Sequence, residues 1–288
     1  MLQIRSSVFF STVDVIIRNA LKEDIGSGDI TTSATIPRGH VSTGTFISKG
    51  RCTVAGLPFV KRTFFQVDRD VKCEMKCRDG VTVKKGYILA EVTGSTRSIL
   101  KAERVALNIL QRLCGIATLT GSFVGRVKGI NVKILDTRKT APGLRYLDKY
   151  AVKMGGGHNH RFGLYDAILI KDNHIDAAGG IENAVRLAGK VKRKGMKIEV
   201  ETNTINEVRH ALNAEADIVM LDNMPLERMK RAVNLIRKHS SSTIIEASGN
   251  IDMENVRDVA ATGVDWISVG ALTHSAPAAD ISLKIKPD

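Results

Sequence analysis

From residue 130 onward the chain alternates short apolar runs with amphipathic stretches, and this alternation restricts its fold more than any other feature. Runs of this kind are typical of strands in a parallel sheet that is covered by helices. Six or seven such repeats favour an α/β barrel over an open sheet. The predicted strands span residues 132–135, 166–170, 197–200, 217–221, 243–247 and 264–269, with a seventh at 281–285. The predicted helices span residues 145–154, 180–194, 204–213, 225–238 and 252–260.

The first part of the chain has a different pattern, which predicts a small α/β sandwich domain. Helices are predicted at residues 12–23 and 57–67, with short strands within residues 40–55 and 71–94. A long helical stretch follows at residues 96–127, and Gly115 is expected to break or bend it. The predicted domains are residues 1–115 and 116–288, with a C-terminal tail that can return to the first domain.

Two motifs in the first part invite a functional interpretation and are read as structural. The loop Asp24–Asp29 is rich in glycine, but it lacks the spacing of a P-loop and no helix is expected after it. Residues 79–92 are similar to the hairpins of lipoyl and biotin carrier domains. A carrier presents a lysine at the hairpin tip, whereas Lys84 and Lys85 precede the turn glycine Gly86.

The formal net charge of +13 suits a nucleic acid, an anionic surface or anionic small substrates. The excess is not gathered in a basic tail, and no nucleic-acid-binding motif is found. A single Trp and few aromatic residues offer poor stacking surfaces for single-stranded bases. Anionic small substrates therefore fit best.

The four cysteines are too few and too irregularly spaced for a disulfide framework. Cys73 and Cys77 lack a second pair of ligands for zinc, so all four are expected to be reduced thiols. The N-terminus has no apolar core long enough for a signal peptide, and no stretch is long enough to span a membrane. The protein is expected to be cytoplasmic.

The stretch Asp136–His174 concentrates positive charge in one loop region between two predicted strands. It also contains three consecutive glycines at residues 155–157. Cations and a pliable backbone together suit a multiply charged anion such as a phosphate or a dicarboxylate. The alternative is a solvated basic helix face. The cations are Arg138, Lys139, Arg145, Lys149, Lys153, Arg161 and Lys171, with His158 and His160 beside them.

Polar or small residues follow the predicted strands of the second half, and the C-terminal ends of barrel strands converge on one rim. The sequence therefore predicts a binding site there. Ser248, Gly249 and Gly270 stand just before helices or turns, where backbone N–H groups can bind a phosphate. The residues at the predicted strand ends are Asp136, Lys171, Glu201, Asp222, Ser248, Gly249, Asn250 and Gly270.

Glu201 and Asp222 follow neighbouring strands, and three interpretations of them remain open. They could act as a general acid and base. They could hold Mg²⁺ or the ribose hydroxyls of a polyphosphate substrate. They could also form structural salt bridges with lysines of the rim. The surrounding cations should keep both carboxylates ionised, which favours metal and hydroxyl binding. Together with the cations, this describes a phosphoribosyl donor and an acidic acceptor.

At these residues the chain resembles the quinolinate phosphoribosyltransferase family, the type II phosphoribosyltransferases of NAD biosynthesis. The resemblance covers nearly the whole chain in one order. The string from DTRKT through PGLR, KYAV, GGG and NHR to LIKDNH, within residues 136–174, is highly specific. The other matching motifs are EDIGSGDITT at residues 23–32, ERVALNILQRLCGIAT at 103–118, EVE at 199–201, LDNM at 221–224, EASG at 246–249 and SVGALTH at 268–274.

The resemblance implies transfer of the phosphoribosyl group of phosphoribosyl pyrophosphate to quinolinate, with decarboxylation to nicotinate mononucleotide. It also implies that the C-terminal barrel is incomplete, and that a homodimer or hexamer forms in which Arg104 reaches the partner's active site. The quinolinate ligands it implies are Arg104, Arg138, Lys139, His160, Arg161 and Lys171, with Thr137 beside them. The implied donor ligands are Glu201 and Asp222, with Mg²⁺ bound directly or through water, and Ser248, Gly249, Asn250 and Gly270 at the phosphate. The implied catalytic residues are Lys139, Lys171, Glu201 and Asp222.

Two alternatives are kept. A related type II phosphoribosyltransferase acting on nicotinate or another acceptor would need fewer cations, because nicotinate has one carboxylate less than quinolinate. A basic nucleic-acid-binding barrel would bind with a steep salt dependence and without turnover. The gathering of charge at strand ends argues against the second alternative.

Overall fold

The computed structural model describes residues 7–287. The first six residues, on which part of the leader-sequence expectation rests, lie outside the described residues. The helices are α1 (Ser7–Ile25), α2 (Ile30–Thr35), α3 (Leu57–Val67), α4 (Thr96–Arg126), α5 (Arg145–Met154), α6 (Asp172–Ala178), α7 (Ile181–Val191), α8 (Ile205–Asn213), α9 (Leu226–His239), α10 (Val256–Ala261) and α11 (Ala271–His274). The strands are β1 (Val41–Ser48), β2 (Cys52–Thr53), β3 (Lys72–Met75), β4 (Thr82–Val83), β5 (Ile88–Ser95), β6 (Lys133–Leu135), β7 (Ile168–Ile170), β8 (Ile198–Thr202), β9 (Ile218–Asp222), β10 (Ile244–Ser248), β11 (Trp266–Ser268) and β12 (Ile281–Pro287).

The chain divides into two compact units that interleave along the sequence. One unit contains Ser122–Lys139 and Gly157–Ala271, which include all six parallel strands. The other contains the described residues up to Gly121, the segment Thr140–Gly156 and the residues from Leu272 onward. Helix α5 therefore belongs to the unit of the N-terminal sheet. None of the helices within residues 7–287 has the length and apolar character that crossing a bilayer requires.

The N-terminal sheet is antiparallel and has the strand order β12-β1-β5-β3. Strand β1 alternates buried and partly exposed residues, as expected for a sheet with one face against a core. Its buried face packs with α3 and α4 around Phe46, Phe64 and Leu110. Together with the parallel sheet of the other unit, this arrangement confirms the prediction of a two-domain α/β fold.

The C-terminal strand decides between two sequence-based possibilities. Residues 281–285 could form a seventh strand of the barrel or a tail that returns to the first domain, and β12 pairs antiparallel with β1, with Gly44 opposite Ile285. The sequence ISLKIK alternates apolar residues with serine and lysine, which suits a strand with one exposed face better than a buried parallel strand.

Helix α4 runs without interruption from Thr96 to Arg126, so the predicted break at Gly115 is wrong, while the alternative of a bend there stays a prediction. Gly115 serves close packing instead. A Cβ atom there would lie 2.0 Å from the carbonyl oxygen of Pro277. The absence of a side chain lets the C-terminal segment cross the helix at this point. The helix forms here although glycine has a low helix propensity.

The expectation that no helix follows the loop Asp24–Asp29 is also wrong, because α2 begins directly after it. Asp29 caps α2, since its Oδ1 accepts a hydrogen bond of 2.9 Å from the backbone N–H of Thr32. Capping of this kind stabilises a helix by about 1 kcal/mol. It gives the carboxylate a structural role, in line with the structural interpretation of this loop.

The parallel sheet has the strand order β6-β11-β10-β9-β8-β7, and His158 extends it through a parallel bridge to Leu135 of β6. In a flat sheet, β6 and β8 would be about 19 Å apart, because they are separated by four steps of about 4.8 Å. His160, two residues beyond this bridge, nevertheless lies 3.2 Å from Glu199 of β8. The sheet is therefore strongly curled, as in a barrel.

Candidate active site

The C-terminal ends of the parallel strands carry almost all the residues that the sequence predicts for a binding site. Thr137, Arg138 and Lys139 follow β6, and the backbone N–H of Lys139 donates to Thr137 Oγ1 at 3.0 Å. Arg104 is the exception, because it lies exposed on α4 in the other unit. The remaining predicted residues of this unit are His160, Arg161, Lys171, Glu201, Asp222, Ser248, Gly249, Asn250 and Gly270.

Asp136 fixes the segment that follows His158. It is completely buried at the end of β6. Its carboxylate accepts hydrogen bonds from Asn159 Nδ2 at 2.6 Å and from the backbone N–H of His160 at 2.9 Å. A buried carboxylate with these donors is fully satisfied, so it stabilises one conformation of the loop. Asp136 thereby positions His160 and Arg161 relative to the sheet.

The His160 side chain, which is only 10% exposed, turns inward towards two buried glutamates. Its Nε2 lies 3.2 Å from Glu199 Oε2 and 3.4 Å from Glu246 Oε2. Its Nδ1 accepts a hydrogen bond of 2.8 Å from the backbone N–H of Arg161. Because Nδ1 accepts, the ring carries a proton at Nε2, facing the carboxylates.

Burial lowers the pKa of His160, but hydrogen bonding and charge from Glu199 and Glu246 outweigh it and raise that pKa to about 10. The Arg161 N–H opposes this rise, since it bonds to the unprotonated form of Nδ1. Burial and the charge of Glu246 raise the pKa of Glu199, which His160 and Arg161 partly offset, to about 7. His160 Nε2 therefore keeps its proton, which faces the two carboxylates, at neutral pH.

Sequence reasoning did not identify Glu199 and Glu246 as site residues. Both lie in the middle of strands and are almost fully buried, at 3% and 0% exposure. The signal that could have found them is a glutamate inside an otherwise apolar run, in IEV of β8 and IIEA of β10. Such a residue is costly in a core unless it is paired, so it indicates a partner elsewhere.

Arg161 experiences a cationic environment. Its burial and the nearby charge of Arg138 lower its pKa, while Glu199 and Asp166 act in the opposite direction. Arg161 Nη1 also donates to the carbonyl oxygen of Ala167 at 3.4 Å. Two guanidinium groups this close favour a bound anion, since planar guanidinium groups suit carboxylate and phosphate.

Lys171 and Glu201 form an ion pair between the end of β7 and the adjacent strand β8. Glu201 is buried, whereas the Lys171 side chain is about half exposed. The backbone N–H of Lys171 also donates to Nδ1 of His174, at 3.0 Å. A lysine held at the rim in this way can present its charge to an anionic ligand.

Asp222, Asn223 and the segment Ser248–Asn250 form a connected loop pair at the ends of β9 and β10. Asn223 Nδ2 donates to Asp222 Oδ2 at 2.7 Å, and the Asn223 backbone N–H donates to the Ser248 carbonyl oxygen at 2.9 Å. Asn250 Nδ2 donates to Asn223 Oδ1 at 3.0 Å. Gly249 has a φ of 88°, and a Cβ there would lie 2.2 Å from Asn223 Oδ1.

Gly270 completes the set of small residues at this edge. It follows β11 and directly precedes the short helix α11. The neighbouring Val269 is fixed to β6 by a backbone hydrogen bond of 2.9 Å to the carbonyl oxygen of Leu135. This brings Gly270 to the same edge of the sheet as the loop Ser248–Asn250.

Glu201 and Asp222 supply oxygen ligands of the kind that Mg²⁺ prefers. Magnesium is commonly held by one or two carboxylates together with the phosphates of a substrate. The strand register pairs Glu201 with Met220, so Asp222 lies two residues further towards the C-terminal edge. Two carboxylates at different positions along adjacent strands suit a metal ion that is bound to an extended substrate. Among the described residues, the one group of three potential metal ligands is His160, Glu199 and Glu246.

Two family profiles match the chain. The profile of the quinolinate phosphoribosyl transferase N-terminal domain matches residues 29–114, and that of the C-terminal domain matches residues 116–284. The two matches together cover most of the sequence and meet close to the middle of α4.

Curated relatives and solved structures agree with the profiles. The chain is 44% identical to a protein of Nicotiana tabacum named quinolinate phosphoribosyltransferase [decarboxylating] 1b, over 94% of this chain and 81% of that one. It is 42% identical to the probable nicotinate-nucleotide pyrophosphorylase [carboxylating] of Bacillus subtilis, over 91% and 90% of the two chains. The structure of nicotinate-nucleotide pyrophosphorylase from Francisella tularensis superposes with a TM-score of 0.93 at 40% identity, covering 99% of this chain and 100% of that one.

Proposed function

Because the chain belongs to the quinolinate phosphoribosyltransferase family, we propose that it transfers the phosphoribosyl group of phosphoribosyl pyrophosphate to quinolinate. The products are nicotinate mononucleotide, pyrophosphate and CO₂, and the reaction is a step of NAD biosynthesis. The observation that supports this proposal is the cationic edge of the parallel sheet, where the charge of Arg138 acts on Arg161 and Lys171 pairs with the carboxylate of Glu201. Asp222 ends the adjacent strand β9.

The acceptor is a dicarboxylate, and the cations suit its charge. We propose that Arg138, Lys139, Arg161 and Lys171 hold the two carboxylates of quinolinate, with Thr137 beside them. The proximity of Arg138 to Arg161, which contributes to the lowered pKa of Arg161, supports this assignment. An anion placed between two guanidinium groups relieves their repulsion and gains charge-assisted hydrogen bonds.

The donor is a polyphosphate, and the small residues at the other strand ends suit its phosphate. We propose that Ser248, Gly249, Asn250 and Gly270 bind the 5′-phosphate through backbone N–H groups. Glu201 and Asp222 bind the ribose hydroxyls and hold Mg²⁺, directly or through water. When bound, Mg²⁺ neutralises charge on the pyrophosphate. The ion pair between Lys171 and Glu201 joins a proposed acceptor ligand to a proposed donor ligand.

The chemistry is a displacement at C1 of the ribose. The pyridine nitrogen of quinolinate attacks C1, and the C1–O bond to pyrophosphate breaks through an oxocarbenium-like transition state. The chain needs no covalent nucleophile for this step, because positioning and charge stabilisation supply the catalysis. Loss of the 2-carboxylate as CO₂ then leaves an electron pair at C2, which the positively charged ring nitrogen stabilises until C2 takes a proton from water.

The assembly and location of the protein are part of the same proposal. We propose a homodimer, alone or within a hexamer, in which Arg104 enters the active site of the partner. The exposure of Arg104 supports this, since a surface arginine is available to another chain. We also propose a cytoplasmic location for the protein.

The test is product formation from phosphoribosyl pyrophosphate and Mg²⁺, with quinolinate and nicotinate supplied in parallel. Nicotinate mononucleotide and CO₂ from quinolinate alone are expected. Turnover with nicotinate alone would support the proposed donor but show that the acceptor is nicotinate. This is the alternative of a related type II phosphoribosyltransferase. Turnover with neither acid would refute the proposed function.

A further inference from the structure

Two glutamates that the proposed reaction does not use lie directly behind the acceptor cations. Glu199 and Glu246 come from β8 and β10, and their side chains are 3% and 0% exposed. One carboxylate oxygen of Glu199 and both of Glu246 are buried without a conventional hydrogen-bond partner. Two carboxylates buried in this way destabilise a core unless a neighbouring group provides a proton or a positive charge.

The partner of both carboxylates is the imidazole of His160, whose Nε2 lies 3.2 Å from Glu199 Oε2 and 3.4 Å from Glu246 Oε2. The opposite ring nitrogen, Nδ1, is occupied by the backbone N–H of Arg161 at 2.8 Å. Nδ1 is therefore hydrogen-bonded inside the protein, and Nε2 faces the two carboxylates at ion-pair distance.

Arg161 is the residue that this arrangement orients. Its backbone N–H is bound to the His160 ring, and its side chain is attracted by the charge of Glu199. The backbone of His160 is held in turn by Asp136. The two glutamates therefore contact the imidazole, and the imidazole in turn fixes the backbone N–H of Arg161. The orientation of the Arg161 side chain depends on both contacts.

We propose that Glu199 and Glu246 are positioning residues of the acceptor site: they clamp the His160 imidazole, which orients Arg161 towards a carboxylate of the acceptor. This inference rests on the proposed function for the identity of the acceptor. Without the clamp the imidazole can rotate, and Arg161 loses its fixed spacing to Arg138.

The experiment uses the near-isosteric variants Glu199→Gln and Glu246→Gln, together with His160→Gln and the double variant H160Q/E246Q. Glu254→Gln, an exposed glutamate of the same unit, is the matched control. Kinetic constants are measured for each substrate, and the dissociation constant of quinolinate is measured by calorimetry. Emission of the single tryptophan, Trp266, which pairs with Glu246 in the sheet register, reports whether the sheet is intact.

The expected result is a rise of about tenfold or more in KM and Kd for quinolinate in E199Q, E246Q and H160Q, since the ion-pair contact that holds the imidazole is weakened in each. KM for phosphoribosyl pyrophosphate should change less than twofold, and E254Q should match the wild type. The double variant should lose no more than H160Q alone, because groups that act through one another are not additive.

Three outcomes would overturn the inference. One is an equal rise in KM for both substrates, which indicates a general disturbance of the sheet. Another is additive losses in H160Q/E246Q, which indicate that Glu246 acts independently of His160. The third is a stoichiometric metal ion, found by elemental analysis of the wild type and lost in E246Q, which would make the cluster a metal centre. Should E246Q fail to fold, E199Q and H160Q provide the same comparison.

Failure of the proposed function is distinguishable from failure of the inference. A wild-type protein that binds quinolinate but does not turn it over refutes the function, and the inference is then decided by Kd in the variants. A wild-type protein that does not bind quinolinate refutes both.

Discussion

Asn223 and Asn250 share a φ of 51° and are joined side chain to side chain by a hydrogen bond of 3.0 Å. A positive φ is unusual outside glycine, and asparagine tolerates it better than most residues. Because Asn223 Nδ2 also donates to Asp222, the pair connects a carboxylate at the end of β9 to the loop after β10. The geometry of the proposed donor site therefore depends on Asn223.

Replacing Asn223 by glycine should raise KM for phosphoribosyl pyrophosphate about tenfold, since the link to a charged group is lost. Glycine keeps the left-handed backbone available, so the change isolates the side chain. Glu215→Gly, at another left-handed position (φ 58°), is the control and should leave KM unchanged. An unchanged KM in N223G would show that the loops hold their geometry without this amide.

Replacing Lys171 or Arg138 by alanine should lower kcat/KM by at least about 100-fold, because each removes a positive charge from the reacting region. The unfolding transition should be preserved in R138A, since rim residues serve function more than stability. K171A should fold but lose some stability, because Glu201 is left buried without its ion-pair partner. Steady-state kinetics and thermal unfolding of each variant test this. Normal kinetics in a folded K171A protein would refute the assignment of Lys171 to the active site.

Arg104 and Arg112, eight residues apart on α4, should differ sharply in their effects. Arg112 forms two hydrogen bonds of 2.8 Å with the carboxylate of Asp148, which is fully buried. Arg112→Leu leaves that charge buried and should destabilise the protein by about 3–5 kcal/mol. Arg104→Leu should change the free energy of unfolding by less than about 0.5 kcal/mol while abolishing turnover.

Chemical denaturation and activity assays of both variants separate these effects. Loss of stability in R104L, or an unaffected unfolding midpoint in R112L, would contradict the distinction. Mixing R104L with K171A protein is a further check on the proposed homodimer. Subunit exchange should restore part of the activity if Arg104 acts in the partner's site, and no recovery would argue against a shared site.

Asp14 should contribute stability that is lost in acid. The Arg62 guanidinium, whose Nε donates to Asp14 Oδ1 at 2.6 Å, lowers the pKa of Asp14 below 3.8, against the opposing effect of burial. A carboxyl group with a lowered folded-state pKa stabilises the protein above its unfolded pKa, and this contribution disappears as the pH falls through the folded-state value.

The measurement is the unfolding free energy of wild type and Asp14→Asn between pH 7 and pH 2. The wild type should be more stable by roughly 1 kcal/mol at neutral pH, since the pair is partly exposed. The difference should shrink as the pH falls below about 4. A difference that is constant across this range would show that the charge of Asp14 contributes nothing.

Gly115→Ala should destabilise the protein by about 1–3 kcal/mol, because the added methyl group would meet the Pro277 carbonyl oxygen at 2.0 Å. Gly125→Ala, in the same helix with no atom within 4 Å of the added Cβ, should instead be neutral or stabilising by up to about 1 kcal/mol. Thermal unfolding of the two variants decides this, and equal effects would contradict the packing role of Gly115.

The sequence was sufficient to predict the alternation of strands and helices in the second half. Short apolar runs are local patterns, and the residues that follow them are brought to one edge by any parallel sheet. Arg138, Lys171, Glu201 and Asp222 lie at or near the C-terminal ends of their strands because such a position depends only on where a strand ends. Their roles in binding and catalysis stay predictions.

The features that the sequence did not reveal depend on contacts between distant segments. Glu199 and Glu246 gain their partner only when the sheet curls and brings His160 across four strand positions. Gly115 lies where the C-terminal segment crosses α4, a contact that leaves no room for a side chain. Propensity and periodicity describe neighbours along the chain, so they are insensitive to such contacts.

The pairing of β12 with β1 has a consequence for how the protein is made. β1 emerges early from the ribosome, yet one of its edges has no partner until residues 281–287 have been synthesised. An unpaired strand edge can pair with other chains during that interval. Completion of the first sheet therefore waits for residues 281–287, so the open edge of β1 is a site where nascent chains can aggregate.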